Sequence, residues 1–290
     1  MRFFWLNFHL DYACKHSGAC CSAGWPIPVQ SDRASQLQQI TSRADWLLRG
    51  TEASDDVAGT LAVEPDGRCV FHGDRGCGVY AARPSSCAHF PYLCLIDHRG
   101  VHVTLSHYCP TAASMLFGHQ GPIEIVEGPP PPTGLAIPEG LDARESLPPL
   151  ASPNRLMSFD EFAAWEAYAV GTVGAHMALD VAWPEAPHSL GDVCRRLVAP
   201  AWPAFAPVIT RYLAAKAFAS WAAYLDDDGT AAVLKGVDAA RAALQVEAAR
   251  QCARAERMLD AQLLKAAIRQ SDLLLVHSTD TQVSSSASQT

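Results

Sequence analysis

Apolar and polar residues alternate in short runs along the first part of the chain, and these runs predict strands joined by tight turns. One predicted hairpin runs from Cys69 to Tyr80 around the turn Gly73-Asp74-Arg75-Gly76. A second runs from Leu93 to Leu105 around Asp97-His98-Arg99-Gly100. Both combine β-forming residues with a glycine-containing turn of about four residues. Apolar residues at helical spacing predict a helix from Asp32 to Arg49.

The pattern becomes helical from residue 156 onward. Ser158 and Glu161 have the spacing of a capping box, which predicts a helix from there to about Met177. Pro203 suits the first turn of a long helix that continues through Trp221. The Ala- and Leu-rich stretch 230–275 predicts two more helices, or one kinked helix.

These elements predict an α+β fold with a simple linear organisation. A small cysteine-rich domain with short hairpins occupies residues 1–118, and a helical domain occupies residues 156–277. The connecting residues 119–155 are rich in proline, which removes backbone donors and suits an extended linker. Residues 278–290 form a polar Ser/Thr-rich tail that is predicted to be disordered.

Composition and charge exclude some classes of partner. Hydrophobic residues make up 49% of the 290 residues, and the mean hydropathy is +0.03, which fits a globular protein. The net charge of −8 and the pI of about 5.7 argue against nonspecific binding to nucleic acid or anionic membranes.

The chain shows no convincing secretion signal or membrane span. Its apolar start is broken by Asn7, His9 and Asp11, and no apolar run approaches about 18 residues. We therefore expect a cytoplasmic protein, in which disulfides are disfavoured and thiolates stay available as metal ligands.

The cysteines carry the strongest chemical signal, because eight of the ten fall within the first 109 residues and two are adjacent. Metal binding is favoured over a disulfide framework, since adjacent cysteines cannot easily pair with each other. Cys194 and Cys252 stand alone on predicted helices and are expected to be buried core residues. The N-terminal group is Cys14, Cys20, Cys21, Cys69, Cys77, Cys87, Cys94 and Cys109.

The spacing of these cysteines resembles a known family. Residues 77–91 follow the pattern C-x-[IV]-Y-x-x-R-P-x-x-C-x-x-[FY]-P, and the segment around Cys20-Cys21 is similar to CxxCxxCC. This combination resembles the YkgJ-like cysteine-cluster proteins, described as zinc- or iron-chelating domains. The Cys-Cys followed by Gly24-Trp25 is similar to the branch with flagellin lysine N-methylases. The segments 211–213 and 271–274 resemble that branch weakly.

The resemblance implies a metal centre, with a 4Fe–4S cluster as the first expectation and zinc as the second. Four thiolates suffice for either centre, so eight cysteines leave room for two sites or for structural thiols. Ser17 stands where the family has a cysteine, and His16 could replace that ligand. Cys94 has no clear family counterpart and is either an extra ligand or a buried strand residue. The expected ligands are Cys20, Cys21, Cys77 and Cys87 first, then Cys69, Cys109 and Cys14.

Three neighbours of the cysteines have two interpretations each. His72 and His89 could bind metal, but a solvated or hydrogen-bonded histidine is the more common case. Arg83 either stabilises an anionic thiolate cluster or bridges to a carboxylate or carbonyl group.

The sequence leaves open whether the protein is an enzyme, and no catalytic residue can be named. It lacks a radical-SAM motif, a dinucleotide-binding loop, a Walker motif, a nucleophile elbow and HExxH. The resemblance implies methyl transfer from S-adenosylmethionine to a lysine of a protein substrate. The alternative is a non-enzymatic domain stapled by zinc, with a helical surface that binds a partner.

Overall fold

The computed structural model describes residues 1–49, 56–135, 138–173, 175, 178 and 188–277. Two compact units emerge. The sheet–helix unit comprises the described residues of Met1–Tyr12, of Pro91–Pro130 and from Gly140 onward. The cysteine unit comprises those of Ala13–Phe90 and Pro131–Glu139. The predicted cysteine-rich segment 1–118 therefore contributes residues to both units.

The described strands lie before residue 157, and the longest described helices lie in the second half of the chain. The strands are β1 (Phe3–Leu6), β2 (Pro28–Gln30), β3 (Leu47–Leu48), β4 (Val57–Leu61), β5 (His72–Gly73), β6 (Gly76–Cys77), β7 (Tyr92–Asp97), β8 (Gly100–Leu105), β9 (Ile125–Glu127), β10 (Leu141–Asp142), β11 (Leu150–Ser152) and β12 (Arg155–Leu156). The helices are α1 (Ser31–Ile40), α2 (Ser85–His89), α3 (Pro110–Gly118), α4 (Phe159–Tyr168), α5 (His188–Val193), α6 (Ala206–Ala217), α7 (Ala222–Leu225), α8 (Thr230–Ala255) and α9 (Ala261–Asp272).

The sheet–helix unit is built on a mixed sheet with the described strand order β10-β7-β8-β1-β9. Strands β7 and β8 form a hairpin, and β1 lies parallel to β8 with Phe3 opposite Val101. Every residue of β8 is buried. Helices α6, α8 and α9 pack together in the same unit, and the large buried side chains of its core are Phe162, Trp202, Tyr212 and Phe218.

A buried ion-pair network ties α4 to the β7–β8 hairpin within this unit. Arg99 contacts Asp97 at 2.7 Å and Glu166 at 2.8 Å, and His102 Nε2 lies 3.2 Å from Asp97 Oδ1. Burial alone would raise the pKa of Asp97, but hydrogen bonds from His102 and Arg99 hold it well below its usual range. The other Glu166 oxygen accepts the backbone N–H of Ala219 at 3.1 Å. All these groups are therefore paired, as buried charges must be.

The cysteine unit has its own, smaller core. Strands β2, β4 and β3 form a three-stranded antiparallel sheet among the described residues, and α1 packs against β2 and β4. The buried apolar side chains of this core are Val29, Leu37, Trp46, Leu61, Phe71 and Val79. The chain leaves the sheet–helix unit after Tyr12 and re-enters it at Pro91. Within that unit the rings of Tyr12 and Tyr92 lie 5.6 Å apart, edge to face.

Most predicted elements are confirmed. The α+β class is confirmed, both hairpins form as β5–β6 and β7–β8, and the stretch 230–275 holds two helices. The capping box also forms, because the Glu161 N–H donates to Ser158 Oγ at 3.1 Å while the Ser158 N–H donates to Glu161 Oε2 at 2.7 Å.

Two predicted helices end early. The helix from Asp32 stops at Ile40, because Thr41 is extended and Leu47 pairs with Leu61 in the sheet. The helix predicted to run to Trp221 stops at Ala217, where Ala219 adopts a left-handed φ of 54°. The disordered tail predicted at 278–290 lies outside the described residues. In the described part, none of the helices has the length and apolar character needed to cross a membrane.

Candidate metal centre

Five cysteines of the cysteine unit lie close enough to interact electrostatically. The thiols of Cys20 and Cys77 each interact with the Cys21 thiol. Besides burial, the charges of Cys20 and Cys77 raise the pKa of Cys69 and Cys87. The five residues come from separate segments: the turn at Cys20–Ser22, the approach to the β5–β6 hairpin, the hairpin itself, and α2. We call these five residues, Cys20, Cys21, Cys69, Cys77 and Cys87, the thiol group.

Local backbone structure brings these segments together. A single 3₁₀ turn places the Cys20 and Cys21 sulfurs 4.0 Å apart. The backbone N–H of Cys69 donates to the Cys21 carbonyl at 2.7 Å, which fixes the approach to the hairpin beside that turn. Cys77 lies opposite His72 in the β5–β6 ladder. The turn and the hairpin are thus joined by main-chain bonds that do not depend on a metal.

Two glycines allow the loop before Cys20 to pack on the hairpin. Gly18 has a φ of +72°, and a Cβ atom there would lie 2.0 Å from Nε2 of His72. Gly76 has a φ of +89°, and a Cβ atom there would lie 3.0 Å from Cβ of His16. A side chain at either position would strain the backbone and push the two segments apart.

The thiol group is prepared for metal binding by its own hydrogen bonds. Contact with the Cys21 thiol lowers the pKa of Cys77 to about 6 and that of Cys20 to about 7. The same contacts, first with Cys20 and then with Cys77, raise the pKa of Cys21. Burial raises the pKa of Cys87 to about 12 and also raises that of Cys69. A lowered pKa favours the thiolate, which is the form of cysteine that binds metal.

The donor set fits a thiolate-bound metal by its chemistry. Thiolates are soft ligands that suit zinc and iron–sulfur clusters. A tetrahedral zinc ion with Zn–S bonds of about 2.3 Å separates its ligands by about 3.8 Å, close to the 4.0 Å between Cys20 and Cys21. Across the described ranges, however, no group of three or more His, Cys, Asp and Glu side chains forms a ready-made metal site. Metal binding therefore requires the sulfurs to turn toward a common point.

Comparison with known families identifies this region. A family model matches residues 13–110; it is the CxxCxxCC family, described as a putative zinc- or iron-chelating domain. We refer to residues 13–110 as the CxxCxxCC domain after this match. The match covers about a third of the chain and includes all eight N-terminal cysteines. No curated protein and no solved structure matches the chain.

Two of the predicted ligands of the CxxCxxCC domain lie outside the thiol group. Cys14 is exposed, and its sulfur lies 3.4 Å from the backbone nitrogen of His16. Cys109 belongs to the sheet–helix unit, where it is buried and lies 3.4 Å from the Tyr12 hydroxyl. Both remain predictions as ligands. Cys94, Cys194 and Cys252 are buried in the sheet–helix unit.

The histidines near the domain's cysteines occupy different surroundings. The His72 ring packs against Gly18, and the His16 ring lies 4.3 Å from the Tyr80 ring at a tilt of 57°. Burial lowers the pKa of His89, and Glu139 partly offsets that effect. His89 therefore stays neutral near pH 7, a form that could accept a metal.

Sequence reasoning missed a second cluster of titratable groups, which lies in the sheet–helix unit. His9 and His107 face each other with their Nε2 atoms 3.1 Å apart, and both are fully buried. Asp272 accepts the backbone N–H of His107 at 2.5 Å and the hydroxyl of Tyr212 at 3.1 Å, and it pairs with Lys216 at 2.5 Å. The paired residues lie from 56 positions apart (Lys216 and Asp272) to 165 positions apart (His107 and Asp272), so no local motif could have revealed the cluster.

Proposed function

We propose that the CxxCxxCC domain holds a 4Fe–4S cluster through its thiol group, with Cys20, Cys21, Cys77 and Cys87 as the principal ligands. The observation that carries the proposal is the grouping of five cysteines around the 3₁₀ turn Cys20–Ser22, in which two sulfurs lie 4.0 Å apart. The donors in this group are all sulfur, as such clusters require, and four thiolates suffice. Thiolate ligation also favours a reducing compartment such as the cytoplasm.

Metal analysis after anaerobic purification tests the proposal. About four iron and four acid-labile sulfide per chain, with visible absorption that bleaches on reduction, are expected for the cluster. Stoichiometric zinc in a colourless protein would instead favour the alternative, a domain stabilised by a zinc ion. A protein without metal and without free thiols among the first eight cysteines would overturn both.

Single cysteine variants assign the ligands. Cys20→Ser, Cys77→Ser and Cys87→Ser are each expected to lose most of the bound metal, because each removes a donor from the thiol group. Cys252→Ala is the matched control, since its thiol is buried between helices in the other unit. The same series includes Cys69, Cys14 and Cys109, so that it decides their roles as well. Equal metal content in every variant would contradict the assignment.

A second candidate function is methyl transfer from S-adenosylmethionine to a lysine of a protein substrate. Its support is that the two segments resembling flagellin lysine N-methylases, 211–213 and 271–274, meet in the fold. Tyr212 of the first donates its hydroxyl proton to Asp272 of the second at 3.1 Å. The reaction would form an N–CH₃ bond and break an S–CH₃ bond, and the amine would release its proton to solvent.

Binding and transfer separate this candidate from simple metal binding. The metal-loaded protein is expected to bind S-adenosylmethionine saturably in calorimetry, and to transfer its methyl group to a lysine-containing protein. Absence of any binding to the loaded protein would overturn the methyltransferase function, while leaving the metal centre intact.

A further inference from the structure

Helix α9 presents two cations to a groove that it forms with the start of α3 in the sheet–helix unit. The groove has a volume of about 240 Å³, and its walls are mostly apolar. Three of its residues, Gln262, Lys265 and Arg269, are spaced along α9 so that they share one helix face. The lining residues are Pro110, Ala261, Gln262, Lys265, Ala266 and Arg269.

Both cations of the groove are positioned by aromatic rings. Lys265 Nζ lies 5.2 Å from the centre of the Phe117 ring, and the guanidinium carbon of Arg269 lies 5.3 Å from the centre of the Tyr108 ring. Arg269 Nε also donates to the Tyr108 carbonyl at 2.9 Å. This bond uses one of the five guanidinium N–H groups, so the terminal nitrogens can still donate to a ligand. Because the guanidinium is already oriented, it loses less conformational freedom when it binds one.

In the described part of the chain, no carboxylate pairs with either cation of the groove. Asp260 at the start of α9 pairs with Arg257, and Asp272 at its end pairs with Lys216. The segment 98–123, which supplies α3 and both aromatic rings, contains no Asp or Glu. A chain with a net charge of −8 therefore carries a local positive site here. Clefts lined by charge of one sign concentrate ligands of the opposite sign.

We propose that this groove binds a small organic anion, namely an apolar body that carries a carboxylate. The planar guanidinium of Arg269 matches a carboxylate through two parallel hydrogen bonds. Lys265 adds a second positive charge one helical turn away, and the apolar walls cover the body of the ligand. The volume of about 240 Å³ lies below the range of about 300–1,000 Å³ for drug-sized ligands, so the ligand is small.

Three simple probes test this site on the full-length chain by calorimetry or by NMR titration. Benzoate combines a carboxylate with an apolar ring, benzamide has nearly the same shape without the charge, and inorganic phosphate has charge without an apolar body. Benzoate is expected to bind saturably and at least about 10-fold more tightly than either of the other probes, because a hydrogen-bonded charge pair contributes a factor of that order. Equal binding of benzoate and benzamide would overturn the role of the cations. Equal binding of benzoate and phosphate would overturn the apolar part of the ligand.

Charge variants assign the binding to the groove. Arg269→Gln is expected to weaken benzoate binding about 10-fold or more, because it removes the fork that faces the carboxylate. Lys265→Gln should have a smaller effect in the same direction. Arg254→Gln is the matched control, since it removes the same charge from an exposed position on α8. Weakening by Arg254→Gln equal to that by Arg269→Gln would show that only the net charge matters.

A steric variant tests the site without changing its charge. Ala266→Leu fills the groove and keeps both cations, so it should abolish benzoate binding while the circular dichroism spectrum stays that of the wild type. This variant decides the question if Arg269→Gln unfolds through loss of its bond to Tyr108. Unchanged benzoate binding by Ala266→Leu, or no saturable binding to the wild type, would overturn the proposal.

This site does not rest on the metal or methyl-transfer functions proposed above. The groove residues belong to the sheet–helix unit, whereas the thiol group belongs to the cysteine unit. The metal content of Ala266→Leu and Lys265→Gln should therefore equal that of the wild type. Loss of benzoate binding with metal content unchanged is the expected result, and loss of both together would show that the groove is not an independent site.

Discussion

Gly18 shows how a single residue can control the cysteine loop. Two separate features require glycine there: the backbone has a positive φ, and the His72 ring leaves no room for a Cβ atom. Gly24 has the same φ of +72° but nothing within 4 Å of a Cβ atom there. The two glycines therefore form a matched pair in which only the contact with His72 differs.

We expect Gly18→Ala to destabilise the cysteine unit more than Gly24→Ala. Both variants incur the left-handed backbone cost, of the order of 1–3 kcal/mol, but only Gly18→Ala also displaces His72. Denaturant unfolding of the two variants, together with their zinc affinities, would measure the difference. Equal losses in both variants would show that packing of the loop on the hairpin contributes nothing.

Some properties of single residues could be predicted from the sequence. The spacing of cysteines predicted seven ligands, and the structure gathers five of them, since short turns and hairpins are set by local sequence. The polar partners of Glu166 and Asp272 could not be predicted, because they depend on pairings between residues that are far apart in the chain. Arg83 had two interpretations in the sequence, and its position over the Tyr80 ring could not be predicted from either.

At the level of elements, α4 is anchored through one buried carboxylate. Glu166 joins Arg99 of the hairpin turn to the N–H of Ala219, which has a left-handed backbone. Both bonds are lost if this side chain is removed, and among the described residues Arg99 would then keep one carboxylate partner, Asp97. Glu166 thus links α4 to the β7–β8 turn and to the chain reversal at Ala219.

We expect Glu166→Ala to lower the free energy of unfolding of the sheet–helix unit by about 3–5 kcal/mol, the usual cost of breaking a buried ion pair. Glu161→Ala on the same helix removes an acidic side chain from the first turn and should cost about 0.3–1 kcal/mol. Urea unfolding followed by circular dichroism would compare the two. A loss at Glu166 no larger than that at Glu161 would contradict the anchoring role.

The segments that carry His9 and His107 are expected to make the sheet–helix unit sensitive to mild acid. Burial lowers the pKa of both histidines in the folded protein, whereas the unfolded chain takes up protons below about pH 6.5. Above that pH, His9 and His107 bind the same number of protons in the folded and unfolded protein. Below it, they bind more protons in the unfolded chain. The unfolding free energy should therefore fall as pH drops from about 6.5, by up to about 1.4 kcal/mol per pH unit for each histidine.

Unfolding measured between pH 7.5 and 5, both values chosen to bracket the histidine range at about 6.5, would check this slope. His9→Gln should flatten the profile, because one buried titrating group is gone. His119→Gln, at a half-buried position, is the comparison variant and should change the slope less than His9→Gln does. An identical slope in the wild type and His9→Gln would show that the buried pair does not titrate as proposed.

At the scale of the whole molecule, the two units differ in how much core they possess. The buried apolar cluster of the cysteine unit is much smaller than that of the sheet–helix unit. Small cores are commonly supplemented by metal ions. The α+β class followed from sequence patterns, but the pairing of β1 with β8 did not, because Phe3 and Val101 are too distant in the chain for any local pattern to join them.

Removing the metal should therefore unfold the cysteine unit selectively. Treatment with a strong chelator is expected to lower hydrogen-exchange protection of α1 and β4 at least about 100-fold, which is about 3 kcal/mol at 1.4 kcal/mol per tenfold. Protection of α6 and α8 should persist, because that core contains no thiol-group residue. Unchanged protection of α1 after metal loss would show that the metal has no structural role.

The contact between Tyr12 and Tyr92 has a consequence in polymer terms. It keeps the entry and exit points of the inserted segment 13–90 side by side for as long as the sheet–helix unit is folded. The unfolded insert is then a closed ring instead of a free coil, and a ring of this length has roughly 4 kcal/mol less conformational entropy to lose on folding. The folded sheet–helix unit thus restrains the ends of segment 13–90 as a crosslink would. If both ends were released, the cysteine unit would lose this stabilisation.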